Sequence, residues 1–309
     1  MEQKENIIII LAVYNGEKYL SEQLSSIFEN TYKNFCLHIC DDGSTDRTEA
    51  IINEWKKKHP EQLFYHKNEK NKGIIQNFLQ AAKDLEADYY MFCDQDDFWL
   101  KHKIGDTLQF MKKLEKRKKG MPVTVFGDAK VTDKNLNLLS GSFQRQSGFH
   151  SQNTDLPHLL MENKLLGCTV MFNHALKEKL SVFPPQIRMH DWWIGLIASA
   201  FGAVGYLDEP LLLYRQHEKN IIGNTSQKNY IKNRLKNLRR QREVLYSTCA
   251  QAEAFFKIYH NELKKDQKKV IHTFADLPKT NWFLRRIRLL QYGFLKSGII
   301  RNLGVFLVI

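Results

Sequence analysis

Short apolar runs alternate with stretches of helical spacing through the first hundred residues of this 309-residue chain. The runs have the length of buried strands and lie at residues 7–13, 36–40, 63–66 and 89–93. Apolar residues recur at three- and four-residue steps within residues 17–28, 46–58 and 73–85. This alternation predicts an α/β fold with a mostly parallel sheet and helices on both of its faces.

Polar residues follow three of the predicted strands at the point where each strand ends. The three segments are Ala12-Val13-Tyr14-Asn15, Asp41-Asp42-Gly43-Ser44 and Asp94-Gln95-Asp96-Asp97. Open parallel sheets bind ligands at the carboxyl ends of their strands. We therefore expect the three segments to lie together around one site.

The pattern becomes mixed after residue 120, with strands predicted at residues 123–126, 165–172 and 211–214. The apolar stretch at residues 192–207 is shorter than the roughly 20 residues of a membrane-spanning helix, so we interpret it as a buried helix. From residue 228, helical spacing predicts a long amphipathic helix or a helical pair, which either packs on the preceding domain or forms a dimer interface. Its apolar positions are Ile231, Leu235, Leu238, Leu245, Cys249, Ala252, Phe256, Tyr259 and Leu263.

The net charge of +12 is concentrated near the C-terminus. Residues 1–227 contain 28 Lys and Arg against 29 Asp and Glu, whereas residues 228–309 contain 18 against 5. A basic segment of this kind binds nucleic acid or anionic lipid, or it is a solvated helical face that aids solubility.

A second C-terminal helix is predicted after Pro278, with Trp282 near its start. Its apolar stripe is Phe283, Ile287, Leu290 and Phe294, and the basic residues Arg285, Arg286, Arg288 and Lys296 lie largely off that stripe. The arrangement is typical of a helix that lies in a membrane interface. It fits equally a helix that packs its stripe into the core and exposes a charged face.

The five cysteines are odd in number and no two have CxxC spacing, which favours reduced thiols over a disulfide framework. The charged N-terminus runs directly into the first apolar run, without the features of a signal peptide. We therefore expect a cytoplasmic protein.

The segment Asp94-Gln95-Asp96-Asp97 carries the strongest chemical signal. Its carboxylates repel one another unless a cation neutralises them, and carboxylate oxygens suit Mn²⁺ or Mg²⁺. Such an ion also holds the phosphates of a nucleotide and offsets the charge of a departing diphosphate. The alternative is an acidic loop in which Asp97 caps a helix at residues 99–110.

Taken together, the three segments resemble the family 2 glycosyltransferases of the GT-A fold. In that family a first strand ends in a small-apolar-Tyr-Asn run, a second in Asp-Asp-Gly-Ser, and a later one in an Asp-x-Asp metal motif. The resemblance covers about residues 5–220 and implies metal-dependent, inverting transfer of a sugar from a nucleoside-diphosphate donor. We accordingly predict a catalytic domain at residues 1–227, with a nucleotide-sugar half to about residue 110 and an acceptor half at 111–227, followed by a helical extension at 228–309.

The resemblance implies a nucleobase pocket formed by the first two segments. Tyr14 would stack on a pyrimidine base, and Asp41 would accept a hydrogen bond from the N–H of that ring. Ala12 and Glu17 would line the same pocket.

The resemblance also assigns the residues around the phosphates and the sugar. Lys72 matches a loop near the nucleotide and would pair with phosphate. Of the Asp-x-Asp carboxylates, Asp96 would bind the metal directly, and Asp94 would lie on the ribose or metal side. Asp97 would orient the sugar.

The segment His190-Asp191-Trp192-Trp193 matches the region where the family has an acidic pair, often Glu-Asp. Inverting transfer needs one base to deprotonate the acceptor hydroxyl. The resemblance implies that Asp191 is this base and that Trp192 lies near the acceptor. Alternatively, Asp191 caps the following helix, and the two roles are compatible.

Further candidates lie around the last predicted strand and in the middle of the chain. By resemblance, His217 would ligate the metal and Arg215 would meet the diphosphate, although a lone histidine is more often structural. Gly167 and Cys168 resemble a loop near the acceptor, with plain packing as the equally good alternative. Asp128 would also face the acceptor.

Within the family, the chain is most similar to bacterial rhamnosyltransferases. The segments that carry this likeness are residues 94–100, 103–104, 190–193 and 214–217. It implies dTDP-L-rhamnose as donor, a polyprenyl-diphosphate-linked saccharide as acceptor, and a peripheral position on the inner face of the cell membrane. A UDP-hexose donor remains the alternative, and a homodimer remains open.

Proteins of other classes fit the sequence less well. A nucleic-acid-binding protein would use the basic C-terminal residues, but no zinc spacing, RNA-binding signature or helix-turn-helix pattern is present, and it would not need the carboxylates of residues 94–97. A nucleotidyltransferase would need a glycine-rich basic loop, which residues 14–17 do not supply. We therefore expect no nucleic-acid partner.

Overall fold

The computed structural model describes residues 5–217 and 238–309. The strands are β1 (Ile7–Val13), β2 (Phe35–Asp41), β3 (Leu63–Lys67), β4 (Tyr89–Cys93), β5 (Phe98–Trp99), β6 (Val123–Thr132), β7 (Leu138–Ser140), β8 (Met171–Asn173) and β9 (Ala203–Arg215). The helices are α1 (Leu20–Phe28), α2 (Thr48–Lys58), α3 (Ile74–Asp84), α4 (Lys103–Glu115), α5 (Phe143–Ser147), α6 (Leu156–Met161), α7 (His174–Lys177), α8 (His190–Phe201), α9 (Leu238–Tyr259), α10 (Lys265–Ala275), α11 (Trp282–Gln291) and α12 (Ile299–Val308).

These strands form one mixed, mostly parallel sheet in the order β3-β2-β1-β4-β8-β6-β9-β5, with β7 paired to β6. The first four strands in this order are parallel to one another, and β8 is antiparallel to both of its neighbours. Val13 pairs with Asp41, and Leu11 pairs with Cys93. The three polar segments predicted to meet therefore leave the sheet along one edge, and the predicted α/β fold class is confirmed.

Alternation along β1 explains why both faces of the sheet are covered by helices. Ile7, Ile9 and Leu11 enter a core shared with α1, α2 and α4. Ile8 and Ile10 enter a second core shared with α3, α6, α8 and the four C-terminal helices. A strand with apolar side chains on both faces is stable only when each face is buried.

The C-terminal helices share the second core with the β-sheet. The rings of Phe255 and Tyr259 in α9 lie 5.3 and 6.2 Å from that of Trp193 in α8. The Tyr259 hydroxyl donates a hydrogen bond to the carbonyl of Lys179 at 2.8 Å. The described part of the extension thus packs on the preceding domain. The predicted boundary at residue 228, and the apolar positions Ile231 and Leu235, lie outside the described residues.

The buried helix predicted at residues 192–207 is shorter than expected. It ends at Phe201, and β9 begins at Ala203. Gly202 lies so close to Pro122 that a Cβ on it would stand 1.8 Å from the Pro122 carbonyl oxygen. The glycine therefore ends the helix and lets the chain enter the sheet.

Two further expectations need correction. The strand predicted at residues 165–172 is a 3₁₀ turn at Gly167–Thr169 followed by the short strand β8. The helix predicted at residues 99–110 begins at Lys103, because residues 98–99 pair with β9 as β5. Asp97 is therefore not the cap of that helix.

Helix α11 presents its apolar stripe outward. Phe283, Ile287 and Leu290 are exposed, whereas Leu289 on the same helix and Phe294 beyond it are fully buried. The interpretation in which the stripe packs into the core behind a charged outer face is therefore wrong for the three stripe residues in α11, whereas Phe294 does enter the core. Within residues 5–217 and 238–309, no helix has the length and apolar character that crossing a membrane requires.

Candidate active site

An open pocket of about 420 Å³ lies at the carboxyl edge of the parallel strands. It is lined by Ala12, Val13, Tyr14, Asp42, Asn71, Gly73, Ile74, Asn77, Asp94, Gln95, Asp96, Leu166, Gly167, Met189, His190, Asp191 and Tyr214. The lining combines the ends of β1, β2 and β4 with the start of α8. Six of the predicted site residues are in it: Ala12, Tyr14, Asp94, Asp96, Gly167 and Asp191.

Tyr14 and the Asp-x-Asp segment are joined by a pair of hydrogen bonds. The Tyr14 N–H donates to Oε1 of Gln95 at 2.8 Å, and Nε2 of Gln95 donates to the Tyr14 carbonyl at 3.3 Å. The Tyr14 side chain itself is 50% exposed. The half-exposed ring is thus held beside the carboxylates by its backbone, which leaves one of its faces available to a flat ligand.

Asp41 and Asp42 have different positions although they are neighbours. Asp41 is fully buried, and its carboxylate accepts hydrogen bonds from the N–H of Ser44 and the hydroxyl of Tyr65 at 2.8 and 3.0 Å. Asp42 lines the pocket instead. Asp41 therefore orders the turn after β2, and it is Asp42 that lines the pocket.

The loop before α3 is anchored by Asp42. Its two carboxylate oxygens accept hydrogen bonds from the N–H groups of Lys72 and Gly73, each at 2.8 Å. The side chain of Lys72 is exposed at the rim of the pocket. Glu17, by contrast, accepts from the N–H of Arg47 at 3.1 Å and does not line the pocket.

Asp96 and His217 form the closest polar contact in the Asp-x-Asp region. Nε2 of His217 lies 2.7 Å from Oδ2 of Asp96. Asp94 lies deeper, and burial together with the charges of Asp96 and Asp191 raises its pKa to about 7. The pocket therefore brings together the carboxylates of Asp94, Asp96 and Asp191.

Arg215 lies behind this region and is held by protein groups. Its guanidinium forms an ion pair with Glu22 and donates to the carbonyls of Asp96 and Lys134 at 2.9 and 2.7 Å. It also stacks over the ring of Tyr19, 4.5 Å from its centre. In this structure Arg215 positions the Asp-x-Asp backbone and does not line the pocket.

Asp97 and Cys168 are buried beneath the pocket. Burial raises the pKa of Asp97 well above its usual range, and the nearby Asp96 and Asp94 raise it further. Lys103 is fully buried against the Trp99 ring and donates to the Cys168 carbonyl. These side chains support the floor of the site and do not line it.

Asp191 occupies the second position of α8 and faces the pocket. Its Oδ1 accepts hydrogen bonds from Nδ2 of Asn163 at 3.1 Å and from the N–H of Trp192 at 2.7 Å. Burial raises its pKa to about 6, and the hydrogen bonds partly offset that rise. Asp191 is therefore a carboxylate at neutral pH, held in a fixed orientation and close in pKa to the working range of a general base.

Trp192 and Asp128 lie outside the pocket. Trp192 is buried, and its indole N–H donates to the Leu159 carbonyl at 2.6 Å. Asp128 is buried and accepts from the hydroxyl of Ser142 and from the N–H of Gln144. Both side chains are thus engaged in hydrogen bonds within the protein.

Sequence reasoning missed several residues that line the pocket. The polar ones are Asp42, Asn71, Asn77, Gln95 and His190. Four of them, Asp42, Asn71, Gln95 and His190, lie within or next to segments that the sequence analysis identified. Asn77 lies within α3, and its Nδ2 donates to the Cys40 carbonyl at 2.7 Å. No local sequence pattern predicts such a contact.

Comparison with known proteins gives a consistent picture. Residues 8–173 match the profile of Glycosyl transferase family 2. The chain is 30% identical over 228 residues to dTDP-rhamnosyl transferase RfbG of Shigella flexneri, which covers 69% of this chain and 73% of that protein. It is 36% identical over 107 residues to UDP-Glc:alpha-D-GlcNAc-diphosphoundecaprenol beta-1,3-glucosyltransferase WfaP of Escherichia coli, which covers 35% and 41%.

A solved structure with a similar fold is the mannosyltransferase PcManGT from Pyrobaculum calidifontis in complex with GDP-Man and Mn²⁺. It matches with a TM-score of 0.57 at 16% identity, covering 99% of this chain and 79% of that one. The predicted GT-A fold is thereby confirmed. The profile match spans more than half of the chain, so this protein is a glycosyltransferase and belongs to glycosyl transferase family 2.

Proposed function

We propose that this enzyme transfers L-rhamnose from dTDP-L-rhamnose to a polyprenyl-diphosphate-linked saccharide, with inversion at the anomeric carbon. The observation that carries the proposal is that Asp191 and the Asp-x-Asp carboxylates Asp94 and Asp96 line one pocket. A donor diphosphate beside Asp96 and an acceptor hydroxyl beside Asp191 would therefore meet within the same space.

The nucleotide occupies the end of the pocket formed by the first strands. Tyr14 stacks on the base, and Ala12 contributes the small side chain beneath it. The loop at residues 71–73, anchored by Asp42, brings Lys72 to the rim where the phosphates emerge. Asp94 lies between the nucleotide and Asp191, in reach of the ribose.

The residues present fit a divalent cation such as Mn²⁺ or Mg²⁺. Asp96 and His217 converge to 2.7 Å and offer a carboxylate oxygen and an imidazole nitrogen. Burial, and after it the charges of Asp96 and Asp191, raise the pKa of Asp94, and a cation bound here would offset those charges. When bound, the ion offsets charge on the departing diphosphate.

Asp191 acts as the general base of the transfer. It takes the proton of the acceptor hydroxyl while that oxygen bonds to the anomeric carbon and the bond from this carbon to the diphosphate breaks. A single carboxylate suffices because no covalent sugar–enzyme intermediate forms. Asn163 and the N–H of Trp192 fix the carboxylate for in-line attack.

The choice of donor and acceptor is supported by the relatives. The Shigella protein is a dTDP-rhamnosyl transferase by name, and the Escherichia protein acts on a sugar linked to diphosphoundecaprenol. The same Escherichia protein uses UDP-Glc, which keeps a UDP-hexose donor as the second candidate. A few pocket contacts decide between such sugars.

The C-terminal helices provide a surface for an anionic membrane, where a lipid-linked acceptor would lie. We call this surface the apolar face; its exposed residues are Trp282, Phe283, Ile287, Leu290, Ile299, Ile300, Leu303 and Leu307. Residues 277–309 contain six Lys and Arg and no acidic residue. Nη2 of Arg286 donates to the Phe306 carbonyl at 2.7 Å and ties α11 to the end of α12. Apolar area flanked by fixed positive charge suits peripheral binding to anionic lipid.

Thermal unfolding with a panel of nucleotides and nucleotide sugars tests the donor assignment, with and without Mn²⁺ or Mg²⁺. A ligand that binds only the folded state raises the melting temperature. We expect metal-dependent stabilisation by dTDP species, with dTDP-L-rhamnose most effective. Stabilisation by UDP-hexoses alone would favour the second candidate, and stabilisation by DNA or RNA without any nucleotide effect would contradict the proposal.

A further inference from the structure

His190 is a buried polar side chain that the mechanism above does not use. It is the first residue of α8, it is 2% exposed, and it lines the pocket beside Asp191. Neither ring nitrogen has a hydrogen-bond partner within the described residues 5–217 and 238–309. Buried polar groups in folded proteins are nearly always satisfied, so the two open positions require an explanation.

The ring packs against two aromatic side chains. It stacks on Phe78 at 4.2 Å between ring centres and meets the edge of Phe92 at 4.9 Å. Burial lowers the pKa of His190 to about 3, so the imidazole is neutral at physiological pH. A neutral imidazole offers one N–H donor and one acceptor, and a sugar hydroxyl can form a hydrogen bond with either of them.

Gly167 brings the imidazole and the carboxylate of Asp191 to the same point. A Cβ added to Gly167 would lie 2.9 Å from Nε2 of His190 and 3.5 Å from Oδ2 of Asp191. Both polar atoms therefore flank a lining residue that has no side chain. A ligand can approach them there because nothing projects from Gly167.

We propose that His190 binds the acceptor sugar through the hydroxyl next to the one that Asp191 deprotonates. The two side chains would then recognise a vicinal diol, and a plain alcohol or water would engage only Asp191. This inference rests on the proposed function, because it takes Asp191 as the base. It identifies the acceptor group as a pyranose ring with two neighbouring hydroxyls.

The plain alternative is that His190 is only a packed core residue. His190→Phe separates the two ideas, because phenylalanine keeps the aromatic packing on Phe78 and Phe92 and removes both nitrogens. A packing role predicts unchanged acceptor kinetics and equal or higher thermal stability. The binding role predicts about a tenfold rise in acceptor KM, an unchanged donor-induced shift in melting temperature, and partial rescue in His190→Gln.

A binding measurement makes the test independent of turnover. Protein labelled with ¹⁵N-histidine is titrated, with Mg²⁺ and dTDP present, with methyl glycosides of rhamnose, glucose, galactose and N-acetylglucosamine. The His190 ring signals are identified by their loss in His190→Phe. We expect at least one glycoside to shift them; signals that move with none of the four would overturn the inference.

The transfer assay then uses the glycoside that binds and its monodeoxy analogues. For wild-type enzyme, the acceptor KM should rise about tenfold when the neighbouring hydroxyl is absent. For His190→Phe, the KM should be the same with and without that hydroxyl. Equal sensitivity of both proteins would also overturn the inference. A wild-type protein that no nucleotide sugar stabilises would instead contradict the proposed function, so the two failures are distinguishable.

Discussion

Nε2 of His217 lies 2.7 Å from Oδ2 of Asp96, although 121 positions separate the two residues in the chain. The contact exists because β9, which ends two residues before His217, pairs with β5, which directly follows the Asp-x-Asp segment. The ring of His217 also stacks on Tyr19, with ring centres 5.2 Å apart. Strand pairing and ring packing thus place this histidine beside the carboxylate.

Replacement of His217 tests the proposed metal site. We expect His217→Ala to weaken Mn²⁺ binding by at least about tenfold, because the site loses one of its two converging ligands. The affinity is measured by Mn²⁺ titration in the presence of dTDP. His102→Ala is the matched control, since His102 forms an exposed pair with Asp106 on the surface. Equal Mn²⁺ affinity in both variants would exclude His217 as a ligand.

Asp191→Asn should separate donor binding from transfer. The amide retains the shape of the carboxylate but cannot accept the acceptor proton, so we expect turnover to fall by about 10² to 10⁴. The donor-induced rise in melting temperature should remain. Asp208→Asn, at an exposed carboxylate paired with Arg145, serves as control. Near-normal turnover in Asp191→Asn would show that another group is the base.

The pH dependence of the reaction follows from the raised pKa of Asp191. Only the carboxylate form can take a proton, and burial places its pKa at about 6. We expect kcat/KM to be constant above about pH 7 and to fall tenfold per pH unit well below pH 6. Initial rates between pH 4.5 and 8.5 measure this, with parallel thermal unfolding to exclude acid denaturation. An acid limb centred near pH 4 would indicate an unshifted carboxylate instead.

The aromatic face of Tyr14 should account for part of the donor affinity. Stacking of a base on an aromatic ring contributes about 1–3 kcal/mol, so Tyr14→Ala should raise the dTDP dissociation constant by roughly 5- to 150-fold. Tyr14→Phe keeps the ring and should bind nearly as well as wild type. Because the side chain is 50% exposed, the folded state should be little affected. Calorimetric titration with dTDP measures the dissociation constant of each variant. Equal affinity of the alanine and phenylalanine variants would rule out stacking.

The apolar face of α11 and α12 should bind anionic vesicles. Leu290→Gln, Ile299→Gln and Leu303→Gln combined should lower binding to vesicles containing phosphatidylglycerol by at least about tenfold. These side chains are 58–79% exposed, so the folded core should be retained. Truncation is a poorer experiment, because Leu289 and Phe294 of the same region are buried in the second core.

The matched control for this surface lies on β7. Leu138 and Leu139 are 63% and 55% exposed, and their replacement by Gln removes apolar area at a distant element. Vesicle sedimentation compares the variants, with pure phosphatidylcholine vesicles to isolate the electrostatic part. Equal sedimentation of wild type and the α11–α12 variant would refute the membrane role.

The sequence predicted those features that depend on local periodicity. The strand–helix alternation gave the parallel half of the sheet, and each polar segment lies at the strand end where it was expected. Asp94, Asp96 and Asp191 line one pocket, as the motifs predicted. Strand ends are predictable because apolar runs stop where the chain leaves the core.

The remaining differences depend on contacts between distant parts of the chain. Arg215 was expected near the diphosphate. Its guanidinium instead forms an ion pair with Glu22, which is 193 positions away in the chain, and Arg215 does not line the pocket. Helix α8 ends early because Gly202 packs against Pro122. The outward orientation of the α11 stripe depends on how that helix docks. The spacing of residues along a single sequence does not show which distant residues will be in contact in the fold.

The two hydrogen bonds between Gln95 and Tyr14 have a consequence for how the site measures its ligand. They hold the middle residue of Asp-x-Asp to the backbone of the proposed base-stacking residue. Under the proposed roles, the ends of the adjacent strands β1 and β4 therefore fix the distance from the nucleobase to the metal. A nucleoside monophosphate would have the right base, but its single phosphate would not reach the metal. Under the same roles, Gln95 would help the enzyme to distinguish a nucleoside diphosphate from a monophosphate by length, before any sugar is recognised.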